Sequence, residues 1–400
     1  MTPKAAGVAG DVRNAVRRLG SFNAHVNRGL NAAFERFGKR AYVELVELGE
    51  REDSIADVAG LRAIRERIAR DGIELRYPNR LRSAARIYGI KPALFGDAAE
   101  AADTPAVEHG LFLGDYTYPQ DTVYSAPMTC ATFSPFRRVA IHKRQSQPVF
   151  CVGPYVGYAE PYYDRARTAA EKWALGRTLL VYPSHSTEDS AMRHDPQRFA
   201  WVEKAAAGFD SVLVSVHWWD LTEPYVDQLV AAGYRVVSSG MTHDRRFLSR
   251  QRTTLELADA VAGDGIGTHV GYAVALGKPF AFTGRRADAV VARRTRDERL
   301  DAEQARVHET IVAELEAAFA HPDGIGPEQL AAANKYWGLD QLKTPQQLAD
   351  IRAITADLLA HTRGFVGLVP AAARRLLARY RADFPSRAEL LADAMPAERA

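Results

Sequence analysis

Apolar residues along this chain recur in two rhythms, and the rhythm changes near residue 105 and again near residue 299. Val12, Val16, Leu19, Phe22, Val26, Leu30, Phe34 and Phe37 fall at three- and four-residue steps, which is helical periodicity. Ile64 to Ile68 and Leu81 to Ile87 read as short helices, with Tyr77-Pro78-Asn79 as a break and Gly96 to Thr104 as a loop. From Pro105 short apolar runs take over. Ala106-Val107 runs into His109-Gly110, and Thr122 to Tyr124, Cys130 to Phe133 and Val149 to Val152 follow. Such spacing predicts a parallel sheet with crossover connections.

A second unit has the stricter alternation. Thr178 to Tyr182, Ser211 to Val216, Arg235 to Ser238 and Ala260 to Ala262 read as strands. Phe199 to Ala207, Glu223 to Ala232 and Phe247 to Leu257 read as the helices between them. This is the pattern of a doubly wound sheet. Residues 299–400 are mostly helical, with breaks near Pro322 to Pro327 and Gly364 to Val369. The expected division is a helical region over 1–103, part of a first α/β domain over 104–165, a second over 166–298, and a helical region over 299–400.

The stretch Thr253 to Phe282 organises the second unit. A helix end leads into a strand at Ala260 to Ala262, then a turn with Gly263, Gly265 and Gly267. Thr268 reads as the N-cap of an amphipathic run, His269 to Leu276, which closes at Gly277 before Lys278-Pro279 and a strand at Phe280 to Phe282. A glycine turn at a helix N-terminus leaves N–H groups and a favourable dipole for an anion, here a phosphate. The same glycines also fit an ordinary turn relieving crowding.

Composition narrows the class without naming it. The chain has 400 residues, 47% hydrophobic and 25% charged, enough for two or three domains. A net charge of +3 is too mild to imply nucleic acid. Cys130 and Cys151 form no CxxC and no paired framework, so a reducing compartment without structural disulfides is expected. No apolar run approaches a membrane span and no apolar leader is legible, so the expectation is a cytoplasmic protein. Residues 1–40 are basic, with Lys4, Arg13, Arg17, Arg18, Arg28, Arg36, Lys39 and Arg40 against Asp11 and Glu35. A basic amphipathic helix suits the anionic inner face of a membrane; it equally suits packing on the next domain.

Ligands of open parallel sheets bind beyond the carboxyl ends of the strands. Polar residues collect at those ends: Ser184, His185, Ser186 and Thr187; His217 and Asp220; His243, Asp244, Arg245 and Arg246; Thr268 and His269. The turn Pro183 to Thr187 offers hydroxyls and N–H groups to a phosphate, or a helix N-cap at Ser186 or Thr187. Arg245 and Arg246 would clamp phosphate oxygens, and Lys278 would reach one or simply end its helix. Trp218 or Trp219 would stack on a base or pack as core. His109, in the first unit, suits a general base, since its ordinary pKa lies near 6.5; a backbone-held turn histidine is the plainer reading. Glu108, Asp115 and Asp121 would orient or replace it. His185, His217, Asp220, His243 and His269 as metal ligands is a further reading, weakened by the lack of HxH or HExxH spacing.

EHG (Glu108 to Gly110), TFSPFRR (Thr132 to Arg138), VGPYVGYAE (Val152 to Glu160), YPSHST (Tyr182 to Thr187) and ADAVAGDGIGTHVGYAVALGKPF (Ala258 to Phe280) together resemble GT-B glycosyltransferases of bacterial capsule, O-antigen and exopolysaccharide synthesis. The His-Gly pair also resembles that of capsule-polymer and polyol-phosphate transferases. The resemblance implies a GT-B-like α/β fold: two Rossmann-like domains facing a cleft, with helical N- and C-terminal extensions. It implies a metal-independent transfer from a nucleotide-sugar donor to a glycan or lipid-linked acceptor, with no cofactor. His109 would be the base, Ser184 to Thr187 and Gly265 to Thr268 the donor-phosphate contacts, and Lys278-Pro279 the end of the nucleotide-binding unit. The chain departs from the pattern in its helical first hundred residues and in lacking an EX7E motif near the GKP segment. A UDP-sugar epimerase or polyol-phosphate transferase on the same fold, a metal-dependent hydrolase, and a non-catalytic nucleotide-binding protein at the inner membrane face are the competing readings.

Overall fold

The computed structural model describes residues 41–73, 75, 85–114, 128–186, 190–192, 200–282, 289–291, 298–320, 324–362 and 369–397. The basic segment 1–40, the strand expected at Thr122 to Tyr124, and Asp115, Asp121 and Thr187 lie outside the described residues. Within them the chain is a mixed α/β protein with parallel sheets and many helices.

Helices α1 (Ala41–Gly49), α2 (Ala59–Asp71) and α3 (Ile90–Phe95) come first. Strands β1 (Ala106–Val107), β2 (Cys130–Thr132) and β3 (Val149–Cys151) form a parallel sheet in that order, with α4 (Pro135–His142) crossing between the last two. Helix α5 (Arg165–Leu175) leads to β4 (Thr178–Tyr182) and the short β5 (Ser190–Met192). Then α6 (Ala200–Ala205), β6 (Ser211–Ser215), α7 (Pro224–Ala231), β7 (Arg235–Val237), α8 (Phe247–Leu257), β8 (Ala260–Gly263), α9 (Thr268–Ala275) and β9 (Phe280–Phe282) alternate as the periodicity predicts. Strand β10 (Ala289–Val291) pairs antiparallel with β5 as a separate ribbon. Helices α10 (Glu298–Ala318), α11 (Pro327–Trp337), α12 (Pro345–His361), α13 (Val369–Asp383) and α14 (Pro385–Ala394) complete the described chain.

The second sheet has five parallel strands in the order β7-β6-β4-β8-β9. The chain enters at β4, winds outward to β6 and β7, then returns to the far side of β4 and winds outward again through β8 and β9. Winding direction therefore reverses between β4 and β8, which is where open α/β sheets bind ligands. The strands are near-continuous apolar runs because both faces are covered. On one face, Tyr42, Leu45 and Val46 of α1 and Leu61, Ile64 and Ile68 of α2 pack with Leu179, Val181, Val212 and Val214. Helices α1 and α2 are thus a layer of the second sheet.

The C-terminal helices cross back onto the first sheet. Thr355 of α12 is hydrogen-bonded to Thr129 at 2.7 Å, and Asp393 of α14 pairs with Arg138 of α4 at 2.6 Å. Trp337 ends α11 inside the main core beside Gly271 of α9. The segment expected as a loop over Gly96 to Thr104 contains a 3-10 turn at Gly96–Glu100. Helix α9 is capped by Gly267, not Thr268; the extended backbone of Gly267 (φ −157°) makes Thr268 the first helical residue.

Candidate functional site

The reversal point is bounded by two turns, Pro183 to Ser186 after β4 and Asp264 to Gly267 after β8. Asp264 is buried between them and joins them: its Oδ1 accepts from Ser184 N at 2.5 Å and from Ser184 Oγ at 2.8 Å. Asp220, also buried, accepts from Ser186 N at 2.9 Å through Oδ2. Ser186 Oγ in turn accepts from Met192 N at 3.0 Å, which ties the β5 strand to the turn. The turn was expected to offer these N–H groups to a phosphate, or to cap a helix. Instead two carboxylates take them up, and a strand follows in place of a helix.

The glycine turn is shaped by its neighbours as much as by backbone angles. A Cβ on Gly265 would stand 2.7 Å from Ser184 Oγ, and one on Gly267 would stand 2.9 Å from His269 Nδ1. A Cβ on Gly263 would meet Tyr182 O at 3.1 Å and His269 Nε2 at 3.3 Å. His269 therefore lies folded against the turn, stacked on Tyr182 at 4.7 Å and tilted against Phe280 at 5.7 Å. Burial drives its pKa down to about 3, with the nearby His185 adding to the effect. Its Nε2 is sealed from solvent without a hydrogen-bond partner. His269 is a neutral wedge that shapes the turn.

His185 and His217 stack face to face at 4.2 Å with 17° between the rings. His217 is held well below the ordinary histidine pKa by burial, and His185 beside it pushes the same way. Its Nδ1 accepts from Trp219 N at 3.4 Å. Trp218 is core, donating to Thr242 Oγ1 at 3.0 Å, and Trp219 packs under the Arg65 guanidinium at 4.3 Å.

At the β7 end, Tyr42 OH is hydrogen-bonded to His243 Nδ1 at 3.1 Å. Burial lowers the pKa of His243 to about 3, with smaller contributions from His109 and Arg86. Asp244 and Arg250 form a fully buried ion pair, and burial still pushes the Asp244 carboxyl up to about 6. Arg250 also donates to the carbonyls of Glu50 at 3.0 Å and Glu52 at 2.9 Å, anchoring the end of α1. Arg245 and Arg246 are exposed; Arg245 N donates to Glu50 Oε1 at 3.0 Å and the Arg246 guanidinium lies 5.8 Å over Tyr162.

His109 lies among residues of other elements. Its ring lies 6.1 Å from Tyr88, whose N donates to Thr242 O at 2.7 Å, and it is close enough to His243 to affect its titration. Tyr88 adopts a positive φ of 50°, a strained backbone for a tyrosine, directly beside His109. Glu108 does not share that exposure. It is buried under Arg137, which donates to Oε1 at 2.5 Å, while Thr132 Oγ1 donates to Oε2 at 2.5 Å. Both carboxylate oxygens are thus engaged inside the first sheet. Lys278 lies at the amino end of the second sheet, where Nζ donates to Ala258 O at 2.6 Å and Glu256 O at 3.3 Å. That is the opposite edge from the two turns.

Sequence reasoning did not single out Asp264. An acidic residue set between glycines of a turn read as an anion site was the available signal. Among the described residues no group of three or more His, Cys, Asp or Glu is disposed to hold a metal ion, and no helix is long and apolar enough to cross a membrane.

No protein-family model matches the chain, and no curated protein matches it. A solved structure similar to it is that of Arabidopsis thaliana UGT89C1 complexed with UDP-L-rhamnose, at 12% identity and a TM-score of 0.30, covering 92% of this chain and 79% of that one.

Proposed function

We propose that the chain is a glycosyltransferase of GT-B type, moving a sugar from a nucleotide-activated donor to a glycan or lipid-linked acceptor in cell-surface polysaccharide synthesis. The observation that carries this reading is the strand order β7-β6-β4-β8-β9, whose reversal falls between the turns Pro183 to Ser186 and Asp264 to Gly267. A ligand at that point meets the N-terminus of α9, whose N–H groups and dipole favour a phosphate. The first sheet supports the second half of the reading, because His109 at its strand end stands beside Tyr88 and His243. Transfer is metal-independent in this proposal, with charge on the leaving diphosphate met by N–H groups and hydroxyls. Residues 1–40 are the proposed contact with the inner membrane face.

The test is a thermal-shift screen with CMP, CDP, UDP, GDP, ADP and dTDP, repeated with EDTA. A nucleotide at 100 times its Kd stabilises by about 2.7 kcal/mol, which moves a melting curve visibly. The expected result is a shift with one base that EDTA leaves unchanged. A flat response to all six sinks the reading, and a shift abolished by EDTA sinks its metal-independent part. Turnover of the donor without an acceptor would replace transfer by epimerisation. Liposome flotation with and without residues 1–40 tests the membrane contact; full-length protein that ignores anionic vesicles ends it.

A further inference from the structure

The turn after β4 holds an exposed histidine in one defined orientation. His185 Nδ1 lies 2.9 Å from Ser186 O. A carbonyl oxygen only accepts, so Nδ1 carries the ring proton and the neutral ring keeps its lone pair at Nε2. The orientation is braced from several sides. His217 backs the ring at 4.2 Å, and the Trp219 N–H pins Nδ1 of His217. Ser186, which fixes the tautomer, is itself held by Asp220 at 2.9 Å and by Met192 N at 3.0 Å. An exposed side chain held this firmly, with an acceptor atom left over, is a preorganised proton acceptor.

Position decides between this residue and His109. In the glycosyl-transfer reading the donor phosphate lies at the α9 N-terminus, at the carboxyl end of β8. His185 follows β4, the immediate neighbour of β8, about 5 Å away by strand spacing. Among the neighbours of His109 are Tyr88 and His243, and His243 follows β7, three strands from β8 or about 14 Å. A general base has to stand within hydrogen-bond reach of the proton it takes, and the reacting carbon lies next to the donor phosphate.

The geometry points to His185 as a catalytic residue, the base that deprotonates the attacking hydroxyl; this rests on the glycosyl-transfer reading above. In the step, the acceptor O–H proton passes to His185 Nε2 and the hydroxyl oxygen bonds to the anomeric carbon. The bond from that carbon to the phosphate oxygen breaks, and its electron pair leaves with the nucleoside diphosphate. The imidazolium returns its proton to water. His217 is a positioning residue, since it acts through the His185 ring. Among the described residues the groups facing His185 are His217 and His269, and the carboxylates of Asp220 and Asp264 hold the turns around it.

Two measurements test the assignment. The first is ring-nitrogen NMR of histidine-labelled protein, free and with UDP, CDP or GDP, using His185→Gln to assign the signal. The expected spectrum of the free protein has the His185 proton on Nδ1; a proton on Nε2 overturns the proposal before any turnover is measured. The second is nucleotide release from the sugar form of whichever nucleotide binds, with water as acceptor. His185→Gln should lower kcat by about 10²- to 10⁴-fold, with nucleotide affinity changed by less than about threefold. Wild-type turnover in His185→Gln, or a loss confined to His109→Gln, overturns the assignment and leaves the glycosyl-transfer reading standing. Failure of all six nucleotides of the thermal screen to bind removes that reading, and this assignment with it.

Discussion

Gly271, one turn into α9, lies directly against the indole of Trp337 at the end of α11, and a Cβ at Gly271 would overlap the indole ring carbons. The helix whose N-terminus forms one wall of the candidate site is thereby seated on a helix that also packs against α4 of the first unit, where the Phe136 and Tyr336 rings meet at 5.0 Å. Both partners are buried, so neither can move aside without opening the core. Gly271→Ala should destabilise the protein by about 1–3 kcal/mol, the usual cost of overpacking. Urea unfolding measures this, and an unchanged midpoint would mean that the contact is looser than described.

Glu108 and Arg137 give the second prediction. Both side chains are fully buried; Thr132 Oγ1 donates to the Glu108 carboxylate, and the Arg137 guanidinium also donates to the Gly114 carbonyl. Removing one partner leaves an uncompensated buried charge, at a cost of about 3–5 kcal/mol. Glu108→Ala should therefore lower stability sharply. Glu108→Leu combined with Arg137→Met should recover much of the loss, because neither charge then remains. If the double variant is no more stable than the single one, the pair is held by something other than its charges.

Much of the second sheet was legible in the sequence. Its strands are continuous apolar runs ending in polar or glycine punctuation, and its helices have a clear three-to-four step. The order of those strands was not legible, because pairing depends on contacts eighty residues apart, such as Leu180 beside Val261. The contacts of the single polar residues were not legible for the same reason. Nothing local shows that Asp264 will take up the Ser184 N–H, that Arg137 will cover Glu108, or that Lys278 will cap carbonyls at the far edge. The role of the glycines was legible only in half. Their spacing marks the turn, but the reason for Gly265 and Gly267 is a side chain, Ser184 Oγ or the His269 ring, that folds back against it.

Stability should fall on mild acidification. Burial lowers the pKa of His217, His243 and His269, the last two to about 3, while the unfolded chain titrates near 6.5. A depressed folded-state pKa means that protons bind preferentially to the unfolded chain. The contribution of these rings is therefore complete above pH 6.5 and is lost as pH falls from 6.5 toward 3. Each ring costs up to about 1.4 kcal/mol per pH unit within that window. Asp244 acts in the opposite sense. Its folded pKa is raised to about 6 from 3.8, so it binds a proton more readily when folded and offsets roughly one ring between pH 6 and 4. Urea unfolding at pH 7.5, 6.0 and 5.0 should show a loss of several kcal/mol, with net proton uptake on unfolding. A flat profile from 7.5 to 5.0 would contradict the neutral buried histidines.

Gly265 separates the two jobs of the glycine turn. Its φ is not positive, so alanine fits the backbone there, but the new Cβ would stand 2.7 Å from Ser184 Oγ. The hydroxyl sits on an exposed-side turn and can rotate only by giving up its 2.8 Å hydrogen bond to Asp264. Loss of one such bond to a charged acceptor costs about 1.5–3 kcal/mol. Gly265→Ala should therefore shift the two turns apart, with a moderate fall in melting temperature. If the nucleotide phosphate sits over the α9 N-terminus, the same shift should weaken nucleoside diphosphate binding by about tenfold or more, since each 1.4 kcal/mol is a factor of ten. Titration calorimetry with the nucleotide found in the thermal screen reads the second effect separately from the first. A folded Gly265→Ala protein that binds the nucleotide with wild-type affinity would place the phosphate away from this turn, and the reversal point between β4 and β8 would then serve another part of the ligand.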